Sequence, residues 1–356
     1  MITEKEKLLI FLSMYELSVK KQEEILECLH EFSIEQMLNS LEVVKLLSAD
    51  VYHKMLANYD RRAFDNSVEN MLKSGIKILT IDSEEYPSSM ADLPERPLLL
   101  YAKGNLELLK KPAIAVVGTR KPTNYGKIMT ARLVEDLARS GLVVVSGLCY
   151  GVDEIAHRKT LEVGGETIAV VGSGFNKIYP ATNTPLSEEI AQKGLLLSEY
   201  PPSFQAKRYT FPKRNRILVA LSQGVLITEA GFKSGTLHTK EFALEYGKDI
   251  FAVPGNVNSD KSDLPNAIIK NAEGQCVTEV DDILKYYNIK KKSKTKMFEL
   301  NLDEQKIVEL LSDGEKDFAF LAENSQISVN ILNSCLTTLE IRGLIRKLPG
   351  QIFALV

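Results

Sequence analysis

The sequence predicts an α/β protein: an extended Rossmann-like parallel-sheet domain, preceded by a helical N-terminal domain and followed by a winged-helix C-terminal domain. Two observations carry the central part. From Ala113 onward, short runs rich in valine and isoleucine (AIAVVG, LVVVSG, TIAVVG, LLLSE, GVLITEA, DIFAVPG) alternate with helix-length segments. Runs without polar alternation suit strands buried on both faces, which implies a parallel sheet covered by helices on either side. A third observation fixes the flanks. Residues 1–70 repeat apolar positions at helical spacing (Leu8, Leu9, Leu12; Ile25, Leu26, Leu29; Leu41, Val44, Leu47), with no glycine before Gly75 and no proline before Pro87.

The boundaries follow from these patterns: helices over 1–70, the Rossmann-like domain over 71–289, a lysine-rich linker over 290–299 and a winged-helix module over 300–356. The linker NIKKKSKTKMFEL holds five lysines between Lys290 and Lys296 and reads as a solvated connector. The last segment has helical patterns and then GLIRKLPGQIFALV, a hairpin punctuated by proline and glycine.

Composition excludes some functions and favours none. The net charge is −3, so a polyanion must be met by local clusters of basic residues rather than by the bulk field. No stretch approaches the roughly 20 apolar residues of a membrane helix, and the N-terminus does not read as a signal peptide. Cys28, Cys149, Cys276 and Cys335 have no metal-ligand spacing, so neither zinc nor disulfides are expected.

Open parallel sheets bind ligands beyond the carboxyl ends of their strands. The first such end, AVVGTRKPTNYG, places Gly118, Thr119 and Arg120 before a helix starting near Asn124. Free N–H groups at a helix start suit an anion, and Arg120 adds a planar fork that fits phosphate oxygens. The second, VVVSGLCYGVDEIAH, offers the Ser146–Gly147 loop. Its Asp153 and His157 share a helix face, but capping is the simpler role for Asp153. The third, VVGSGFNKIYP, contributes Lys177 and the ring of Tyr179.

The densest cationic segment is QAKRYTFPKRNRI, with five basic residues between Lys207 and Arg216, no acid, and the rings of Tyr209 and Phe211. Such mixtures suit single strands, because cations follow phosphates while rings stack on bases, worth about 1–3 kcal/mol per base. Pro212 is expected to open a helix carrying Lys213, Arg214, Asn215 and Arg216. Arg214 and Arg216 then point about 200° apart and cannot share a phosphate, so one of them is expected to serve structure or an interface. Last, Ser234, Gly235 and Thr236 form a phosphate-cradle pattern without the P-loop spacing, so no ATP hydrolysis is expected. Glu229, at the same strand end, reads as a hydrogen-bond or ion-pair partner of a nearby arginine rather than a catalytic acid.

In series, AVVGTR, VVSGLCYGVDEIAH, IAVVGSGFNKIYP, LLSEYPP, FPKRNRILVALSQGVLITEAGFKSGTLHT and FAVPGNV resemble the DprA/Smf family of DNA-processing proteins, over roughly residues 75–287. The resemblance implies a SAM-like helical domain ahead of the extended Rossmann-like one. It also implies a cytoplasmic homodimer that binds single-stranded DNA and loads the RecA recombinase, during natural transformation, onto strands coated by single-strand binding protein. It assigns no catalytic residue, cofactor or metal. DNA contacts carried over are Arg120, the Ser146–Gly147 loop, Lys177, Arg214, Asn215 and Arg216, with Ser234–Thr236 completing the pocket. Tyr150 stands where the family often has a basic residue, and His238 and Lys240 are further departures. The competing class is a nucleotide enzyme of the phosphoribohydrolase (lysine-decarboxylase-like) type, in which Glu229 or Asp153 would cleave a bond.

Overall fold

The computed structural model describes residues 2–290 and 300–355, apart from 92 and 343. The chain divides into two compact units, Met1–Lys292 and Ser293–Val356. The lysine-rich linker expected over 290–299 lies, from 291 on, outside the described residues.

The first unit opens with α1 (Glu4–Ser13), α2 (Val19–Glu27), α3 (Ile34–Asn39), α4 (Leu41–Leu46), α5 (Ala49–Asn58) and α6 (Arg61–Lys73). Each starts where a short polar side chain satisfies an otherwise orphaned N–H. Thr3 and Glu6 form a capping box on α1, and Ser18, Ser33, Ser40, Ser48 and Asp60 cap the other five. The apolar stripes meet around Phe11, whose ring packs against Tyr15, Tyr59 and Phe64. This core also takes in Leu98, Leu99 and Tyr101. Tyr101 is fully buried with its hydroxyl 2.8 Å from Ser13 Oγ, so the helices rest on a sheet strand and share one compact unit with it.

The sheet has nine strands: β1 (Lys77–Thr80), β2 (Leu99–Gly104), β3 (Ala113–Val117), β4 (Val143–Ser146), β5 (Thr167–Val171), β6 (Leu195–Ser198), β7 (Gly224–Ile227), β8 (Asp249–Ala252) and β9 (Gln275–Cys276). Their order is β1-β2-β6-β5-β4-β3-β7-β8-β9. The valine-rich runs are β3 to β8 and pair parallel, while β1 and β2 add an antiparallel edge beyond β6. Helices follow the strands: α7 (Asn124–Arg139), α8 (Val152–Glu162), α9 (Thr184–Lys193), α10 (Thr210–Ala220), α11 (Thr236–Glu245), α12 (Asp263–Lys270) and α13 (Asp281–Tyr286).

Alternate residues of each strand feed opposite cores, as the period of two requires. Ala113, Ala115 and Val117 of β3 join Ile217, Ala243 and Ile268 on one side. Ile114 and Val116 join Leu133, Leu137, Ala156 and Ile283 on the other. Strand order runs outward from β3 in two directions, so β3 and β7 flank a topological switch point.

The second unit holds α14 (Leu302–Ser312), β10 (Lys316–Asp317), α15 (Phe318–Asn324), α16 (Val329–Ile341), β11 (Ile345–Leu348) and β12 (Ile352–Leu355), with strand order β10-β12-β11. Asn301 and Glu304 form its opening capping box, and Ile307, Leu321, Leu336 and Phe353 lie in its core. Gly350 (φ 85°) turns the hairpin between β11 and β12. This is the winged-helix arrangement the terminal pattern predicts. Among the described residues, no helix is long and apolar enough to cross a membrane.

Candidate nucleic-acid interface

The loop after β4 and the end of β5 meet at one buried arginine. Arg214 of α10 is 3% exposed; its Nη1 donates to Gly147 O at 2.6 Å and to Val170 O, and its Nη2 lies 3.8 Å from Cys149 Sγ. A single guanidinium thus ties the loop after β4 to the end of β5. Gly147 is glycine for this reason, since a Cβ there would stand 2.4 Å from Arg214 Nη2. Ser146 is buried as well and donates to Val116 O at 2.7 Å, locking β4 to β3.

Arg120 stands outside this staple. It is exposed, with its guanidinium 5.1 Å from the Phe211 ring centroid and Nη2 4.0 Å from Cys149 Sγ. No acid pairs with it among the described residues. Phe211 in turn lies 5.4 Å from the ring of Tyr179, which is 49% exposed, and Lys177 is exposed two positions earlier. Cation and rings therefore share one surface, the arrangement that single strands use.

Other expected residues take different places. Arg216 is 1% exposed and donates to Glu199 Oε1 at 2.6 Å, while Lys213 Nζ lies 3.8 Å from the same oxygen. Arg214 and Arg216 do leave α10 in different directions, but both end buried, so neither guanidinium is presented at the surface. Asn215 Nδ2 donates to Thr239 Oγ1 at 2.9 Å and joins α10 to α11. Ser234 Oγ lies 2.9 Å from Thr236 Oγ1 and accepts from Thr236 N at 3.2 Å, a closed turn at the start of α11 with Gly235 exposed. Gly118 is partly covered, and the buried Thr119 donates its N–H to Glu229 O at 2.6 Å. Lys207 is held by Glu16 from the turn after α1. The helix expected to open at Pro212 begins at Thr210, whose buried Oγ1 donates to Gly172 O at 2.7 Å.

Glu229 corrects one expectation. Its partner is not an arginine: Oε2 accepts the Thr123 N–H at 2.8 Å and Oε1 the Thr123 hydroxyl at 2.6 Å. The carboxylate lies against the first turn of α7, so close that a Cβ on Gly126 would stand 2.1 Å from Oε2. The anion position at that helix start is filled by the protein's own acid.

Asp153 and His157 are both buried on α8. Burial, then the charge of Arg214, lowers the His157 pKa to about 3, so the ring is neutral. Thr167 Oγ1 donates to Val144 O and therefore accepts from His157 Nδ1–H, 2.7 Å away. Burial raises the Asp153 pKa, with Arg214 opposing. Burial likewise pushes the Cys149 thiol up, which keeps it protonated beside the two arginines. Cys149, Glu199 and Glu16 had no local signature. Each gains its role only through a partner distant in sequence.

Fold and site together define the class: a doubly wound α/β protein with a winged helix, whose cations gather at the carboxyl edge of the sheet. Comparison with known proteins gives the family. Residues 77–288 match the model of DNA recombination-mediator protein A, and residues 292–351 match the DprA winged helix domain. The chain belongs to the DprA family. It is 38% identical over 212 residues to the DNA processing protein DprA of Bacillus subtilis, covering 59% of this chain and 71% of that one. It is 41% identical over 199 residues to that of Streptococcus pneumoniae, covering 56% and 70%. The X-ray structure of the S. pneumoniae protein superposes with a TM-score of 0.67 at 32% identity, over 80% of this chain and 98% of that one. The structure of DNA processing protein A from Helicobacter pylori, described for its single-stranded DNA binding mode, gives 0.55 at 34% identity, over 60% and 96%.

Proposed function

We propose that this DNA-processing protein binds single-stranded DNA along the carboxyl ends of β3, β4 and β5 and acts as a recombination mediator rather than an enzyme. One observation carries the reading: Arg120 is exposed, makes no ion pair with a described acid, and holds its guanidinium over the Phe211 ring beside Tyr179. Phosphates meet Arg120 and Lys177, and bases meet the rings. Gly118 and Thr119 shape the Arg120 loop, and Gly235 with Ser234 and Thr236 offers backbone N–H groups to a further phosphate. Lys213, Arg214, Asn215 and Arg216 act from behind, by holding the loops and biasing the local field. The H. pylori relative, a single-stranded DNA binder, supports this reading.

Family likeness extends the proposal. A cytoplasmic homodimer protects incoming strands during natural transformation and loads RecA onto DNA coated by single-strand binding protein. The nucleotide-enzyme alternative loses support because Glu229 already serves Thr123 and Asp153 lies buried under Arg214.

Titration of labelled oligo-dT at several salt concentrations tests the binding step. Log affinity is expected to fall with log salt at a slope of about −0.7 per neutralised phosphate. A flat response, or equal affinity for duplex, overturns it. The handover is tested separately by RecA filament assembly on coated strands, expected to be faster with the chain present.

A further inference from the structure

The same sheet edge carries a second site with the opposite chemistry. Between the start of α7 and the loop after β8 lies a cavity of about 600 Å³, lined by Thr123, Tyr125, Glu229, Asn256, Ser259 and Ser262 together with the Pro254–Gly255 backbone. It adjoins the β3–β7 switch point, where doubly wound sheets place their ligands, and its volume falls in the small-molecule range. None of its lining residues, among the described residues, is lysine, arginine or histidine. The charged group there is the Glu229 carboxylate, only 2% exposed. A phosphate brought into this cavity would face a buried like charge with no cation to offset it.

What remains are groups for an uncharged, hydrogen-bonding ligand. Glu229 uses one bond per oxygen on Thr123, and a carboxylate has about four acceptor positions, so two stay open. Ser262 is 3% exposed, and its hydroxyl makes no hydrogen bond with another described residue. Asn256 Oδ1 accepts from Asn258 N at 2.9 Å, which leaves its amide to donate. Tyr125 is 44% exposed and anchored by its hydroxyl on Pro254 O at 2.6 Å, so the ring offers a fixed flat face. The loop is preformed: Asn266 grips both the N–H and the carbonyl of Gly255 at 3.1 Å, and Ala230 N donates to Lys261 O at 2.7 Å.

We propose that this cavity binds a ribonucleoside without its phosphate, the ribose diol on Glu229 and the base against Tyr125. An acid that accepts ribose hydroxyls is a recurrent device at such switch points. Arg120 is not among the described lining residues, and the requirement for a 2′-hydroxyl sets the ligand apart from a DNA strand.

Calorimetric titration of the full chain with adenosine, guanosine, cytidine and uridine, each beside its 2′-deoxy form and its 5′-monophosphate, tests this. At least one ribonucleoside is expected to saturate. Its deoxy form should bind about tenfold more weakly for the lost bond to a charged acceptor, and its monophosphate should be weaker too. Failure of all four ribonucleosides to saturate at millimolar concentration overturns the proposal, as does a monophosphate that binds as tightly as its nucleoside. Glu229→Gln should abolish the ribo-over-deoxy preference. Because Glu229 also holds Thr123, Asn256→Ala and Ser262→Ala provide the milder check, and unchanged affinity in both overturns the assignment. Arg120→Ala should weaken oligo-dT binding and leave the nucleoside isotherm unaltered, so failure of the strand-binding reading is distinguishable from failure of this one.

Discussion

The two halves of the sheet's carboxyl edge are built from the same grammar, a strand, a short loop and a helix, yet they present opposite charge. On the β3–β4–β5 side, Arg214 is buried as a staple and Arg120 is left outside on an aromatic ring. On the β7–β8 side, a buried glutamate occupies the start of α7 and hydroxyls line a cavity. Both halves have small residues at their loops. What separates them is which charged side chain the tertiary structure buries against which backbone groups. A glycine-rich loop therefore specifies close approach, and the neighbouring charge specifies the ligand.

The largest effect should come from removing the staple. Arg214→Met leaves Gly147 O and Val170 O without this donor and Asp153 with only the weaker influence of Arg120, so a loss of about 3–5 kcal/mol in urea unfolding is expected. A loss under 1 kcal/mol would mean that Arg214 is not the structural partner of the β4 loop and that the contrast between the halves is misplaced.

Arg120→Ala should be the reverse case. With the guanidinium exposed, unfolding should shift by no more than about 0.5 kcal/mol. Oligo-dT affinity should drop by about 1.5–3 kcal/mol, the range for charge-assisted bonds, and the salt slope should flatten by about 0.7. Because phosphate contacts carry no base information, the loss should be the same for dT and dA oligonucleotides.

A smaller effect, read per unit of pH, comes from His157 beneath the same half. Its folded pKa, about 3, lies below the ordinary imidazole value of 6.5, so the unfolded chain binds a proton that the native one refuses. Its contribution is full above pH 6.5 and is lost as pH falls toward 3. The slope is at most about 1.4 kcal/mol per unit. Thermal melts between pH 7 and 5 should show it, and His157→Asn should reduce the slope; an unchanged slope would assign acid sensitivity to other groups.

Phe211→Ala closes the series. Loss of one stacking face should weaken oligo-dT binding by about 1 kcal/mol with a salt slope like that of the parent. A changed slope would show that the ring acts by orienting Arg120.

Much of the fold was legible because its signals are local. The six valine- and isoleucine-rich runs are β3 to β8, and serine and aspartate caps mark where helices start. The antiparallel edge was less legible: β1 and β2 read only as apolar runs, and their direction depends on pairing with β6 across nearly a hundred residues. The docking of α1 on β2 through Ser13 and Tyr101 was equally hidden.

At the site, the residue types could be read from the sequence and their exposure could not. Lys213 through Arg216 form the densest cationic run, yet Glu199 takes Lys213 and Arg216, and carbonyls take Arg214. Helical periodicity shows that Arg214 and Arg216 diverge, but not that both directions lead inward. Arg120 follows a strand in the same manner as Glu229 and stays outside, because no acid or carbonyl is packed against it.

The sequence by itself determined the element order, the parallel sheet and the winged helix, since each is written in the spacing of neighbouring residues. Only the tertiary structure decided which arginine meets solvent, that Glu229 holds Thr123, and that a cavity without cations stands beside a cationic surface. Those outcomes depend on desolvation and on partners far apart in the chain, and a charge on a linear sequence carries neither.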